Sequence, residues 1–496
     1  MVKSLKKEIK VIAKHSSVYG LANILNRIIS FIMLPIYTRY LTTSDYGILQ
    51  ILYFVYTLVS IVLSMGISDA MSRFYFDSDK TKERNKVVST TIIGFGSLSV
   101  ILSLFLLNLT KFASIEIFDS IDYKNLFVIL FLTLGVEFTV QTGFAYFRVV
   151  KQSFRLMIFS LTQLFFTISL NILFLVYMKM GVEGILLSTL IINGLIGIIM
   201  IISILIAVGS KFSFPLYWSM IKFGLPLIPS NIANYLMIAS DRYFIKDYVS
   251  LSETGLYSLG YKIGSVISNF ITSPFTQIWF PRRFEHFNKE DSELIFARIF
   301  TYFASIITLG ALFISLMAQD ILKIMTTKPF WPAYQVVSII ALAHIFHSFY
   351  YHFTIGISYK KKTVYYMYIN IISGVTNLVL NYFLIRRYGI WGAAYATLTT
   401  YILRDILVYY FSNKLYPIIF EKMRIAKILI VAIFIYFVGL HLESPSVIID
   451  LLLKTAVIIF YPILLYFLRF FNPDEIKIIT EYYHKLKDRI GLSANK

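Results

Sequence analysis

Residues 23–47, NILNRIISFIMLPIYTRYLTTSDYG, and residues 231–255, NIANYLMIASDRYFIKDYVSLSETG, carry one pattern twice. Asn23 pairs with Asn231, Ile24 with Ile232, Asn26 with Asn234, Tyr40 with Tyr248, Ser44 with Ser252 and Gly47 with Gly255, all at a single offset of 208 residues. The register continues without a gap. Phe76 meets Phe284, Asp77 meets Glu285, the turn Gly181-Val182-Glu183-Gly184 falls on Gly389-Ile390-Trp391-Gly392, and Thr189 falls on Thr397. An offset that keeps pairing turn glycines, and asparagines within apolar runs, marks an internal duplication of the kind on which many transporters are built.

The duplicated units are membrane-embedded. Of 496 residues, 57% are apolar and only 15% charged, and the mean hydropathy is +0.72, which excludes a soluble enzyme. With about 20 residues per crossing, fourteen spans are expected, centred near residues 28, 58, 98, 136, 167, 196, 232, 267, 305, 345, 374, 400, 433 and 458. Six spans fall in each repeat. An even number gives both halves the same orientation, related by an axis along the membrane normal. The expected organisation is an all-α polytopic membrane protein with a lobe at 1–208, a parallel lobe at 209–415, two further helices at 416–471 and an amphipathic tail at 472–496.

A net charge of +19 would point to nucleic acid in a soluble chain, but here the basic residues first report topology. Lys3, Lys6, Lys7, Lys10 and Lys14 precede a first span without a small-residue cleavage site, so that span reads as an anchor with a cytoplasmic N-terminus. Alternating sides from there puts most of the 46 Lys and Arg on the inner side and both termini in the cytoplasm. Leu5, Ile9 and Ile12 at the start, and Ile476, Ile479, Tyr483, Leu486 and Ile490 at the end, fit helices lying on the membrane surface. The absence of cysteine excludes disulfides, thiolate metal sites and thiol nucleophiles. No P-loop occurs, so ATP hydrolysis by that route is excluded, and the short outer loops disfavour a catalytic reading.

Two parallel six-helix bundles with a cleft between them suit alternating access, and polar side chains within spans locate that cleft. Span 1 carries Ser16, Gly20, Asn23, Arg27 and Ser30 on one helix face. Span 7 carries Asn231, Asn234 and Asp241, with Arg242 beside them, after the interruption Gly224-Leu225-Pro226 and Pro229. Span 8 carries Ser258, Lys262, Ser265, Asn269, Thr272 and Thr276 in steps of four and three, and span 2 a weaker row in Gln50, Thr57, Ser64 and Ser68. Small polar residues also pack membrane helices together. Cations are a stronger signal, because each costs roughly 2.5–3.5 kcal/mol at the bilayer centre. Arg27, Arg242 and Lys262 are therefore expected to contact an anionic substrate; their other role would be ion pairs with Asp241 or Glu137.

Glu137 and Gln141 lie one turn apart on span 4, and Glu137 and Asp241 are candidates for a coupling proton or sodium ion. Asp69 and Arg73 are candidates for the cavity mouth. Arg404 and Asp405 are consecutive on span 12 and so point to separate partners, with Arg404 a further substrate candidate. His344 and His347 share a face of span 10, yet no carboxylate or cysteine completes a site, and no metal or cofactor is expected. Lys454 reads as a snorkelling or packing residue.

Tyr37-Thr38-Arg39-Tyr40-Leu41 with Asp45-Tyr46-Gly47, Gly66-Ile67-Ser68-Asp69 with Arg73-Phe74-Tyr75, and Ser240-Asp241-Arg242 with Glu253-Thr254-Gly255-Leu256-Tyr257-Ser258 resemble the polysaccharide transporters. These are the Wzx-type oligosaccharide flippases of the multidrug/oligosaccharidyl-lipid/polysaccharide superfamily. The resemblance runs through the whole chain, and implies a MATE-like fold and flipping of undecaprenyl-pyrophosphate-linked oligosaccharide across a bacterial plasma membrane. It implies membrane lipids, and a polysaccharide polymerase and chain-length regulator, as partners, and no nucleic acid. The product would be an O antigen, capsule or exopolysaccharide. By similarity the family's cavity cations correspond to Arg27, Arg242 and Lys262, with Asn23, Asn231, Asn234 and Asn269 for the sugars. A multidrug or cation antiporter of the same fold, and a flippase of the peptidoglycan lipid precursor, remain the alternatives.

Overall fold

Thr42 and Ser250, one repeat apart, start their helices by the same device. The computed structural model describes residues 31–287, 291–442, 444–473 and 475–476. In it the Asp45 N–H donates to Thr42 Oγ1 (3.1 Å) while the Asp45 carboxylate accepts from the Thr42 N–H (2.9 Å), a capping box that begins span 2 at Thr43. The Glu253 N–H donates to Ser250 Oγ (3.1 Å) at the start of span 8. Gly181 and Gly389, also one repeat apart, both have positive φ, +57° and +54°, which glycine adopts at little cost.

Spans 2 to 6 are the helices Thr43–Ser64, Thr81–Leu107, Lys124–Val149, Ser153–Ile172 with a π turn at Leu173–Tyr177, and Gly181–Val208. Span 7 is Ile228–Tyr248, and span 8 is Leu251–Gly264 continued, after a π turn at Ser268–Thr272, by Ser273–His286. Span 9 is Ser292–Met325, span 10 is Tyr334–Phe353 with Ile355–Tyr359, and Val364–Leu415 holds spans 11 and 12, which break at Gly389. Spans 13 and 14 are Lys422–Leu440 and Val447–Phe467. Among the described residues ten helices are long and apolar enough to cross a membrane. That number counts spans 11 and 12 once and leaves out spans 7 and 8, whose polar side chains lower their hydropathy. Span 1, with Asn23 and Arg27, lies outside the described residues except for its last turns.

Spans 3, 4, 5 and 6 pack among themselves, as do spans 7, 9, 10, 11 and 12. Span 2 joins the two groups by lying along spans 7 and 8. Near the end expected outside, Gly47 and Gly255 meet so closely that a Cβ on Gly47 would lie 1.9 Å from the Leu251 carbonyl oxygen, and one on Gly255 2.1 Å from that of Thr43. Thr43 Oγ1 and Ser252 Oγ share a hydrogen bond of 2.8 Å at the same place. At the opposite end span 2 stops in two left-handed residues, Met65 and Gly66, before the short helix Ile67–Tyr75. Gly224 seats there, with room for no Cβ against the Met65 carbonyl. Gly224 ends a surface helix, Phe214–Gly224, and the expected interruption follows as a 3-10 turn, Leu225–Leu227. Spans 13 and 14 both pack on span 9, where Leu316, Met317, Ile428, Val431, Ile435, Ile458 and Tyr461 form a separate apolar core.

Candidate functional site

Asp241 is the buried centre of the polar seam. Its Oδ2 accepts from the Tyr257 hydroxyl (2.5 Å), and its Oδ1 accepts from the backbone N–H and Nη1 of Arg242, both at 2.9 Å. Arg242 Nη1 also donates to the Ile238 carbonyl (2.9 Å), and the guanidinium lies over the Tyr261 ring at 4.6 Å. Arg242 thus keeps its charge beside a carboxylate and a ring face, an arrangement that holds it in place. The ion-pair role considered for Arg242 is the one observed here, and Asp241 has both oxygens engaged by the protein.

The seam extends across span 7 to spans 10, 11 and 12. Ser240 Oγ donates to Asn377 Oδ1 (3.2 Å), Asn381 Nδ2 donates to Ser240 Oγ (3.2 Å) and to Asn377 Oδ1 (3.0 Å), and Asn377 Nδ2 donates to Thr400 Oγ1 (3.2 Å). Asn377 and Asn381 lie four residues apart and Asn231 and Asn234 three apart, so both pairs put two asparagines on one face of an apolar helix. Tyr261 and Tyr401 share a hydroxyl contact of 3.4 Å, and His344 Nδ1 lies 2.8 Å from Ser268 Oγ.

Arg404 is 2% exposed, sandwiched between the rings of Tyr350 and Tyr401 at 4.4 and 4.7 Å, with Nη2 3.1 Å from His347 Nδ1. Arg404 is thus enclosed by side chains of spans 10 and 12, and its expected part in substrate binding is a proposal only. Asp405 does point elsewhere, and both of its oxygens are buried without a hydrogen-bond partner. The span 8 row is corrected in part. Ser258 is buried in the regular helix before the π turn, and Thr272, which closes the π turn, is buried and bonds Ser348 on span 10 at 2.6 Å. Lys262, Ser265 and Asn269 keep partial exposure, whereas Asn231 and Asn234 are exposed on span 7. Tyr235 of that helix stacks on Phe54 of span 2 at 5.8 Å.

Glu137 sits in a network across the first repeat. Asn193 Nδ2 donates to Glu137 Oε2 (2.7 Å), Gln141 Nε2 to Glu137 Oε1 (3.4 Å), and Gln163 Nε2 to Asn193 Oδ1 (2.8 Å). Spans 4, 5 and 6 each contribute, and Gln163 and Asn193 were not foreseen. At the expected mouth Asp69 and Arg73 are both exposed, but Arg73 pairs with Asp77 rather than Asp69. An apolar cavity of about 240 Å³ opens between spans 1, 8 and 9, lined by Phe31, Ile32, Ile263, Val266, Phe270 and Met325 among others.

Residues 12–287, more than half of the chain, match the family described as polysaccharide biosynthesis protein. The chain belongs to that family. An uncharacterized membrane protein of Methanocaldococcus jannaschii is 26% identical to this family member over 410 residues, 78% of this chain and 95% of that one. Among solved structures, the lipid II flippase MurJ in an inward closed conformation superposes with a TM-score of 0.75 at 15% identity, covering 90% of this chain and 98% of MurJ. An inward-facing multidrug resistance MATE transporter of the MOP superfamily superposes with a TM-score of 0.62 at 14% identity, covering 84% and 95%. This member of the polysaccharide biosynthesis protein family therefore has the fold of those two solved neighbours, one named a flippase and the other a transporter.

Proposed function

We propose that the protein flips undecaprenyl-pyrophosphate-linked oligosaccharide from the inner to the outer leaflet of a bacterial plasma membrane, by rocking residues 1–208 against 209–415. The observation that carries this reading is on span 8. Ile263, Val266 and Phe270 line the lateral apolar cavity, while Lys262, Ser265 and Asn269 stand on the neighbouring surface of the same helix, partly exposed. A prenyl chain and an anionic, sugar-bearing head need those two surfaces side by side. The contacts at Gly47 with Gly255, and at Met65 with Gly224, supply an opposite pair of closures between the groups of helices. Arg27 would add a second cation from span 1, with Asn23, Asn231, Asn234 and Asn269 offering hydrogen bonds to sugars.

A multidrug antiporter reading would use Asp241 or Glu137 as an ion site, but Asp241 is committed to Arg242 and Tyr257. A peptidoglycan-precursor flippase shares the diphosphate chemistry and differs only in the glycan. A polymerase and chain-length regulator would act on the flipped product. The orientation is tested by single-cysteine labelling in the cysteine-free chain: positions 43, 181 and 328 should label from outside, and strong labelling at 80 or 361 would overturn it. The function is tested by complementation, in which Lys262→Ala should abolish surface polysaccharide with the protein still in the membrane; full activity would refute the site.

A further inference from the structure

Lys454 on span 14 donates to Asp320 Oδ2 of span 9 (2.7 Å) and to Asp450 Oδ2, one turn back on its own helix (2.6 Å). All three residues are buried, Asp320 completely. Lys454, expected to snorkel or pack, instead meets two acids. Two carboxylates against one ammonium leave the triad with a formal charge of −1, and Asp320 Oδ1 and Asp450 Oδ1 are both buried with no hydrogen-bond partner. An uncompensated charge out of water is costly, and buried acceptors as a rule have donors. The two carboxyl groups lie within hydrogen-bonding reach of each other, so one proton between them removes both faults.

We propose that Asp320, Asp450 and Lys454 form a binding site for a single proton, held between the two carboxylates. A hard metal cation takes six or so oxygen ligands, whereas two oxygens are open here, and a shared proton needs two. Lys454 also lines a polar cavity of about 520 Å³, with Ser315, Gln319, Tyr334, Gln335 and Trp391, between span 9, span 10, span 12 and the extra helices. This cavity lies at the end that carries Gly47 and Gly255, since Thr327, at the start of the turn before span 10, bonds the Thr38 carbonyl (2.8 Å). The route to the triad is thus from the side expected outside.

Among the described residues, the titratable groups nearest the triad along the surrounding elements are Lys323 on span 9, Lys328 and Tyr334 before and at the start of span 10, Tyr436 on span 13, and His441, whose ring bonds the Phe437 carbonyl (2.8 Å); Glu293, Arg298 and Tyr302 on span 9, His344, His347 and His352 on span 10, Lys422, Arg424 and Lys427 on span 13 and Tyr461 and Tyr466 on span 14 lie farther along. None of them ion-pairs with Asp320 or Asp450, which both meet Lys454. Because the triad ties span 14 to span 9, the bound proton also neutralises the attachment of the two extra helices. This site lies apart from the seam around Asp241 and does not depend on the proposed substrate.

The test is infrared difference spectroscopy of the purified full-length protein while pH is stepped, in light and heavy water. The expected result is a protonated-carboxyl stretching component, shifted by deuterium, that is present in the wild type and lost from Asp320→Asn and from Asp450→Asn, but retained in Asp405→Asn and Glu137→Gln. Each triad variant leaves one carboxylate opposite Lys454, a neutral pair, so both should fold. If either fails to fold, Asp450→Glu decides, because the component should move in that variant. No such component in the wild type, an unchanged one in Asp320→Asn and Asp450→Asn, or an unmoved one in Asp450→Glu overturns the proposal. Loss of the component on adding sodium chloride at fixed pH, with potassium chloride inert, overturns it in favour of a metal cation.

Discussion

Replacing Gly47 by alanine should prise open the seam between spans 2 and 8. The new Cβ would lie 1.9 Å from the Leu251 carbonyl oxygen, and its counterpart in Gly255→Ala 2.1 Å from that of Thr43. Ordinary carbon–oxygen contact needs more than 3 Å, so one helix must retreat by over an ångström, and both obstacles are backbone. Overpacking of this kind costs about 1–3 kcal/mol. The alanine itself favours helix over glycine by about 0.8–1.0 kcal/mol, so the helices survive and the cost falls on their contact. A shift of about 1–3 kcal/mol changes the closed population by roughly 5- to 150-fold. Thr43→Cys with Ser252→Cys reports it, since the two hydroxyls are 2.8 Å apart and the chain has no other cysteine. Oxidative cross-linking should slow by that factor in Gly47→Ala and in Gly255→Ala. It should be unaffected in Gly96→Ala, whose Cβ would meet nothing within 4 Å. Unchanged cross-linking in folded Gly47→Ala and Gly255→Ala protein would refute the seam as a moving closure.

Arg242→Ala leaves the Asp241 carboxylate buried without its guanidinium, a loss of roughly 3–5 kcal/mol, so expression should fall. The double variant Asp241→Asn with Arg242→Gln should restore expression; complementation that stays absent in it assigns Arg242 to substrate, and recovered complementation assigns it to structure. Burial by itself would raise Glu475, but the Tyr302 hydroxyl, the Asn472 N–H (2.8 Å) and Arg424 (3.0 Å) hold it below the ordinary glutamate range. A carboxylate lowered on folding stabilises above its unfolded value of about 4.3 and loses that contribution as pH falls through its folded value. Glu475→Gln should therefore lower the melting temperature at neutral pH and have no effect well below pH 4, measured by thermal denaturation in detergent.

The fold was legible because duplication leaves its mark in spacing. The pairs Thr42 and Ser250, Gly181 and Gly389, and Gly47 and Gly255 each perform one physical task twice, as cap, positive-φ turn and close approach. The site was legible in type but less so in partnership. Consecutive Asp241 and Arg242 form their ion pair through a side chain that curls back along its own helix, which periodicity alone does not reveal. Thr272 left the expected row because a π turn adds a residue to the helix. Asp320 and Lys454 are 134 positions apart, and only packing of the extra helices on span 9 brings them together. Asn377 and Asn381, four residues apart in an apolar run, carry the same helical-face signal as Asn231 and Asn234 on span 7.

Flipping by the purified protein in vesicles, with lipid-linked oligosaccharide as substrate and no other protein present, tests the proposed function most directly. A glycan-modifying enzyme outside the vesicles reads exposure at the opposite leaflet. The expected result is protein-dependent exposure of the diphosphate-linked oligosaccharide. It should be lost in Lys262→Ala, and faster when the membrane potential is negative on the entry side, because each charge crossing the full field contributes about 2.3 kcal/mol per 100 mV. No exposure above protein-free vesicles, with drug-like cations transported by the same preparation, would contradict it.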